Sequence, residues 1–411
     1  MTALTVSVII VSRGRSEVLK RCLTGVSQLQ YPSFEVVVVA DPKGITAAQT
    51  LPFAPHLKLV PFDKANISAA RNLGVTHAAG EIVAFIDDDA VPEPTWLQHL
   101  VAAADRPDVA AMGGFVRGRN GISFQWRARS LDRWGAAHDL DVHARQPTVL
   151  QPPKGRAIKT EGTNMGFRRD VLVALGGFDP AFHYFLDETD LNMRLARAGH
   201  ATAIVPLAEV HHGYAANTLR ASNRVPTDLF DIGASWAVFQ RKHIDASERE
   251  IQWRTLRAEQ RQRLLRYLVE GPLEPRAVRH LLGRLDRGYA EGSARPLDQG
   301  RLAAHPAAPF LPFPSPTRKA GILVSRPIRL RRDRRTAAEK VRSGENITLF
   351  CLSPTIWFHK VSYEPGGFWL QKGGIYGRSD RKMPLFRIFT RSGRVKKEQM
   401  RVATQRGLRE E

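Results

Sequence analysis

Apolar positions in the first half of the chain recur at two periods. Val6-Ser-Val-Ile-Ile-Val11 is a nearly continuous β-branched run, the pattern of a strand covered on both faces. Ser16 opens a stretch in which Val18, Leu19, Cys22, Leu23 and Val26 share one side of a helix. A second buried-strand run, Phe34-Glu-Val-Val-Val-Val39, ends at Asp41-Pro42. A short strand over 57–60, a helix over 67–79 closed by Gly80, and the strand Ile82-Val-Ala-Phe-Ile86 are expected next. Strands and helices alternating at this spacing predict a doubly wound α/β sheet, whose ligands sit beyond the carboxyl ends of the strands. Candidate ligand contacts are therefore Ser12 and Arg13 in the turn 12–15, Asp41, and the residues after Ile86.

Three carboxylates, Asp87, Asp88 and Asp89, follow Ile86 directly. Side by side they repel one another, and a divalent ion with a preference for oxygen ligands, Mg²⁺ or Mn²⁺, relieves this while bridging to a diphosphate. A solvated acidic turn is the bland alternative. The position after a strand, with Pro92, Pro94 and Trp96 following, favours the metal. A second acidic group, Asp187-Glu188-Thr189-Asp190, leads into an apolar stripe of Leu191, Leu195 and Ala198 that stops at Gly199. Acids there suit the helix dipole, and one of them is also placed to take a proton from a hydroxyl. His211-His212 follows a strand-like segment at 203–205 and is expected in a loop, either as surface residues or with one imidazole completing an oxygen-rich metal site.

Taken together, these segments resemble the inverting family 2 glycosyltransferases of the GT-A fold. The resemblance rests on ordered motifs across about 210 residues: Asn66-Ile-Ser-Ala-Ala-Arg71-Asn72-Leu-Gly74, Gly80 to Asp89, Glu161-Gly-Thr-Asn-Met-Gly-Phe-Arg-Arg169, Gly176-Gly-Phe-Asp179, Asp187 to Arg194 and Val210-His-His-Gly213. It implies that Asp41 contacts the nucleotide base and Arg71 the nucleotide. Asp87 and Asp89, with Asp88 between them, would hold ribose and metal–diphosphate. Asn164 would help shape the donor–acceptor pocket. Where the family has Glu-Asp this chain has Asp187-Glu188, so Glu188 is the expected base, Asp187 the second candidate and Asp190 a supporting acid. His211 is the expected further metal ligand, with His212 the alternative. The implied reaction is transfer of a sugar, of hexosyltransferase type, from a nucleotide-sugar donor to a glycan or lipid-linked acceptor in cell-surface polysaccharide or glycoconjugate biosynthesis. The chain has Ala40-Asp41-Pro42-Lys43-Gly44 where the family often has two acids, Gly and Ser, which leaves the nucleotide open.

Charge divides the molecule unevenly. Residues 1–214 hold 22 Lys+Arg and 21 Asp+Glu, a net of +1, whereas residues 215–411 hold 39 and 19, a net of +20. An anionic partner of the second part is therefore expected: a membrane surface, a phosphorylated acceptor or nucleic acid. The expected units are a catalytic domain over 1–214, a helical extension over 215–291 with helices at 228–243, 247–270 and 274–289, a Pro/Ala- and Arg-rich linker over 292–346, and a small basic region with short strands over 347–411. Six arginines in residues 326–335 read as a solvated tail or a lipid-facing run. Two separated cysteines, no signal-like start and no apolar run of about 18 residues set the expectation of a cytoplasmic protein, peripheral on the inner membrane face. The competing class is a degenerate, non-catalytic transferase that binds membrane or nucleic acid through its basic part.

Overall fold

The computed structural model describes residues 3–213, 223, 225–297, 301–384 and 387–408. The expected boundary at 214/215 lies outside them. β1 (Val6–Ser12) lacks polar alternation because Val6, Val8 and Ile10 enter one hydrophobic core while Ile9 enters another on the opposite face. The chain continues through α1 (Ser16–Val26), β2 (Phe34–Ala40), α2 (Pro42–Gln49), β3 (Leu57–Pro61), α3 (Ile67–His77), β4 (Ile82–Ile86), β5 (Ala90–Pro92) and α4 (Trp96–Val101). β6 (Val109–Arg117), β7 (Phe124–Trp126), β8 (Arg129–Leu131), β9 (Ala137–Asp139), β10 (Thr148–Leu150) and β11 (Ala157–Lys159) follow. β12 (Asn164–Arg168), α5 (Arg169–Ala174), α6 (Asp187–Arg197) and β13 (Ala201–His212) complete this part.

The main sheet runs β10-β13-β6-β12-β4-β1-β2-β3, with β5 beside β13 and β7 beside β6; β11-β8-β9 form a small second sheet. β1 is parallel to β2 and β4, whereas β12 runs antiparallel between β4 and β6, which makes the sheet mixed. α2 was not anticipated. Asp41 ends β2 and caps α2, accepting from Gly44 N at 3.3 Å, and Pro42 occupies the first turn, where its missing N–H costs nothing. His211 and His212 close the long strand β13 rather than lying in a loop, because Val210–His212 pair with Ala90–Pro92.

α7 (Phe230–His243), α8 (Ala246–Val269) and α9 (Pro275–Ala294) form the helical extension. α7 and α9 approach closely at glycines: a Cβ on Gly288 would lie 1.9 Å from the Phe230 carbonyl oxygen. The extension is tied to α6 by Lys242 and His243, whose Nζ and Nε2 each lie 2.8 Å from Asp190 Oδ1. A Pro-rich strap then returns across the first unit, with Phe313 stacked on Phe34 at 5.2 Å and its N–H donating to the Phe34 carbonyl.

The expected linker over 292–346 is shorter than its bounds. β14 (Lys319–Ser325) pairs in parallel with β15 (Glu345–Ser353), and α10 (Leu330–Arg342) crosses between them. With β16 (Lys360–Tyr363), β17 (Trp369–Gly374) and α11 (Arg391–Arg406) they form a compact α/β unit, sheet order β14-β15-β17-β16. The arginine-rich run is thus mostly one face of α10: Ala337 packs on Ile347 and Leu349, while Arg331, Arg332 and Arg335 face solvent. A local charge count reads such a run as a tail because the apolar stripe that anchors it is sparse. Among the described residues no helix is long and apolar enough to cross a membrane.

Candidate active site

The turn after β4 sends its three acids to different places. Asp88 is fully buried; it accepts from Ser12 Oγ at 2.6 Å and pairs with Arg15. Burial lifts its carboxyl to about 7 against the pull of Arg15. Asp88 therefore braces the turn 12–15 and does not face a donor. Ser12 is spent on the same bond. Asp87 remains partly exposed, accepts from Thr163 Oγ1 and lies 3.5 Å from Arg71. Asp89 Oδ1 faces His212 Nε2 at 3.1 Å, and its other oxygen is 3.4 Å from Arg15.

On β13 adjacent side chains leave by opposite faces. His212 therefore turns toward the aspartates, whereas His211 Nε2 donates to Glu93 at 2.8 Å and its ring packs on Trp369. The geometry replaces His211 by His212 at the aspartate site. His212 Nδ1 meets Gln125 Oε1 at 2.9 Å, which orients the ring so that Nε2 faces the Asp89 carboxylate. Ligand atoms of Asp87, Asp89 and His212 all lie within 4.8 Å of one another, a possible metal site with two oxygens and one imidazole.

α6 supplies the second group of acids. It starts after two non-glycine residues in left-handed backbone, Phe185 at φ 73° and Leu186 at φ 65°, a conformation that costs about 1–3 kcal/mol per residue and concentrates at functional sites. Asp187 pairs with Arg71, which also donates to the Gly162 carbonyl, so Arg71 links Asp187 to Asp87 and is itself buried. Glu188, the more exposed of the two, accepts from Lys159 Nζ at 3.1 Å. Burial opposes the charge on both. It lifts Asp187 to about 7, whereas Lys159 and Arg71 hold Glu188 down at about 2. Asp190 is fully buried among Arg194, Lys242 and His243, its carboxyl held well below the usual range despite burial, and it anchors α6 instead of facing a substrate.

A cavity of about 700 Å³ opens at the carboxyl ends of β1 and β2, lined by Ser12, Arg13, Asp41, Phe62, Lys64 and Tyr184 among others. Arg13 pairs with Asp63 at 2.9 Å on its rim. Asn164 lies elsewhere: its side chain is buried, accepts from Trp96 Nε1 at 2.8 Å and donates to the Phe115 and Ala208 carbonyls. Both of its N–H groups are used, so it ties β12 to β6 and β13 and contacts no donor.

Residues 3–225 match the family described as Glycosyltransferase like family 2. The chain belongs to this family. It is 26% identical over 214 residues to the O-antigen biosynthesis protein RfbC of Myxococcus xanthus, covering 47% of this chain and 16% of that one. It is 30% identical over 152 residues to the pre-mycofactocin glycosyltransferase of Mycobacterium tuberculosis, 36% of this chain and 30% of that one. Against the succinoglycan biosynthesis protein ExoM of Rhizobium meliloti it is 29% identical over 187 residues, 43% of this chain and 55% of that one. The chain thus spans from about a sixth to about half the length of these relatives. Among solved structures it is similar to GalNAc-T7 with UDP, GalNAc and Mn²⁺, at 16% identity and TM-score 0.46 over 58% of this chain and 48% of that one.

Several residues of the site escape a reading of the sequence. Lys159, Thr163, Arg15 and Gln125 all touch the acids or His212. Thr163 lies inside a motif already singled out, and Arg15 inside the turn 12–15. Lys159 and Gln125 carry no local signal, since their partners are distant in the chain.

Proposed function

We propose that this chain transfers a sugar from a nucleotide-sugar donor to a hydroxyl of a glycan or lipid-linked acceptor, with inversion and with Mn²⁺ or Mg²⁺ as cofactor. The observation that carries the reading is the convergence of Asp87, Asp89 and His212, which Arg15, 3.4 Å from Asp89, joins to the cavity that Asp41 lines. The ion would be held by these three, and when bound it supplies positive charge that offsets the charge growing on the departing nucleoside diphosphate. Asp41 sits where the nucleoside enters, and Arg71 keeps Asp87 and Asp187 in fixed relation. Glu188, kept ionised by Lys159, accepts the proton of the acceptor hydroxyl as it attacks. Displacement from the face opposite the leaving group inverts the anomeric centre. The relatives named for O-antigen and succinoglycan biosynthesis support a role in polysaccharide assembly.

The test is release of nucleoside diphosphate from a panel of nucleotide sugars with Mn²⁺ or Mg²⁺, with and without EDTA. Metal-dependent release from one donor is expected. Absence of both release and metal-dependent nucleotide binding by calorimetry would return the chain to the non-catalytic class.

A further inference from the structure

The C-terminal α/β unit lies beyond the segment shared with the family, yet it builds a wall next to the His212 site. β16 and the segment after β17 grip the turn after β6: Val361 N–H donates to the Asn120 carbonyl at 2.8 Å, and Arg381 Nε to Ser123 Oγ at 3.1 Å. Gly121 permits this approach, with φ 66° and no Cβ; a Cβ there would fall 2.4 Å from the Val361 carbonyl oxygen. Two adjoining cavities of about 200 and 520 Å³ result, sharing Gly118, Arg119 and Lys360. The smaller reaches His212 and Arg21, and the larger reaches Gln125, which holds His212, and Arg381. Their walls carry four cations, Arg21, Arg119, Lys360 and Arg381, and no carboxylate among the described residues. The Nε of Arg21 is buried with no hydrogen-bond partner among them.

Two residues before Lys360 the surface changes character. Ile356, Trp357 and Phe358 are 59%, 72% and 64% exposed, three large apolar side chains in a row. They are presented on a firm backbone: Gly374 N–H donates to the Trp357 carbonyl at 2.9 Å, Tyr376 N–H to that of Thr355 at 3.1 Å and His359 N–H to that of Arg378 at 2.8 Å. Moving outward from His212, the surface therefore offers anion-binding cations and then an apolar knob.

We propose that the cleft of Lys360 and Arg381 takes the phosphate of an acceptor carried on an apolar chain, and that the tip at Ile356, Trp357 and Phe358 seats that chain at a lipid surface. This rests on the glycosyltransferase reading and names its acceptor class: a sugar phosphate ester of a long hydrocarbon alcohol. The cations complement the phosphate, and an exposed aromatic pair beside arginines suits a membrane interface.

Point variants test this better than truncation, since removing the unit would uncover buried Glu93 and Glu209. Full-length protein is floated with phosphatidylcholine vesicles alone, the same vesicles bearing a polyisoprenyl phosphate, or vesicles of equal charge bearing phosphatidylglycerol. Binding is expected to be strongest to the polyisoprenyl phosphate vesicles. Lys360→Glu with Arg381→Glu should lose that preference, on the order of ten-fold, and Trp357→Ser with Phe358→Ser should lose binding to all three. Equal flotation on polyisoprenyl phosphate and phosphatidylglycerol would overturn the proposal in favour of a general anionic surface. Equal flotation of wild type and both variants would overturn it outright. Metal-dependent nucleoside diphosphate binding, measured on the same proteins, should be unchanged in both variants; its absence in the wild type would instead defeat the transferase reading.

Discussion

Two clusters of carboxylates and imidazole sit back to back on the end of β13, built from neighbouring residues. The rear one joins Glu93, Glu209 and His211; the front one joins Asp87, Asp89 and His212. At the rear, Arg406 clasps Glu93 with bonds of 2.9 and 3.0 Å, and Arg117 holds both oxygens of Glu209. Every carboxylate oxygen there meets a guanidinium, so an additional cation has no unpaired charge to neutralise. Among the described residues, the front acids lie 3.4 and 3.5 Å from the guanidinium nitrogens of Arg15 and Arg71, and His212 Nε2 lies 3.1 Å from Asp89. The same donor types thus make an interdomain lock in one case and a candidate metal centre in the other. Among the described residues, the close bidentate arginine pairing found at the rear, not ligand identity, separates them.

The comparison breaks most severely if the front acids prove idle. Glu188→Gln should lower kcat by about 10²–10⁴-fold while leaving nucleotide binding by calorimetry nearly intact; unchanged turnover would pass the base role to Asp187. Asp89→Ala is expected to lose on the order of 10²–10³-fold in nucleoside diphosphate release, together with metal-dependent nucleotide binding. A paired substitution sharpens the contrast between the faces. His212→Ala should weaken Mn²⁺ affinity about ten-fold or more with little change in Tm, and His211→Ala should do the reverse; equal effects on Mn²⁺ affinity would erase the distinction. Arg406→Ala leaves Glu93 buried without its main partner and should destabilise the fold by about 3–5 kcal/mol in urea unfolding. The smallest effect concerns pH. Glu188 is held low partly by Lys159, so Lys159→Met should raise its pKa and move the acid limb of kcat/KM upward by about one unit, with activity lost first at low pH.

Much of the first 213 residues is legible because their signals are local. Strand runs such as Phe34–Ala40 and the helix N-capped by Asn66, which accepts from Ala69 N at 2.9 Å, need only a few neighbouring residues to be read. The acidic turn after Ile86 is equally visible. The placement of its members is not, because Asp88 is turned inward by Ser12 and Arg15, 76 and 73 residues away. Asn164 looked like a pocket residue by its motif, yet it bridges three strands. The arginine-rich run looked like a tail until β14 and β15 were paired around its helix.

The chain's own pattern determined the alternating α/β architecture, the family and the two acidic groups, since hydrophobic period and motif order are written within short windows. Which histidine meets the aspartates was decided only in three dimensions. Strand alternation requires His211 and His212 to part, but their assignment to front or rear depends on Glu93 being clasped by Arg406, 313 residues later. Contacts at that separation arise from packing of whole units, and no local sequence signal encodes them.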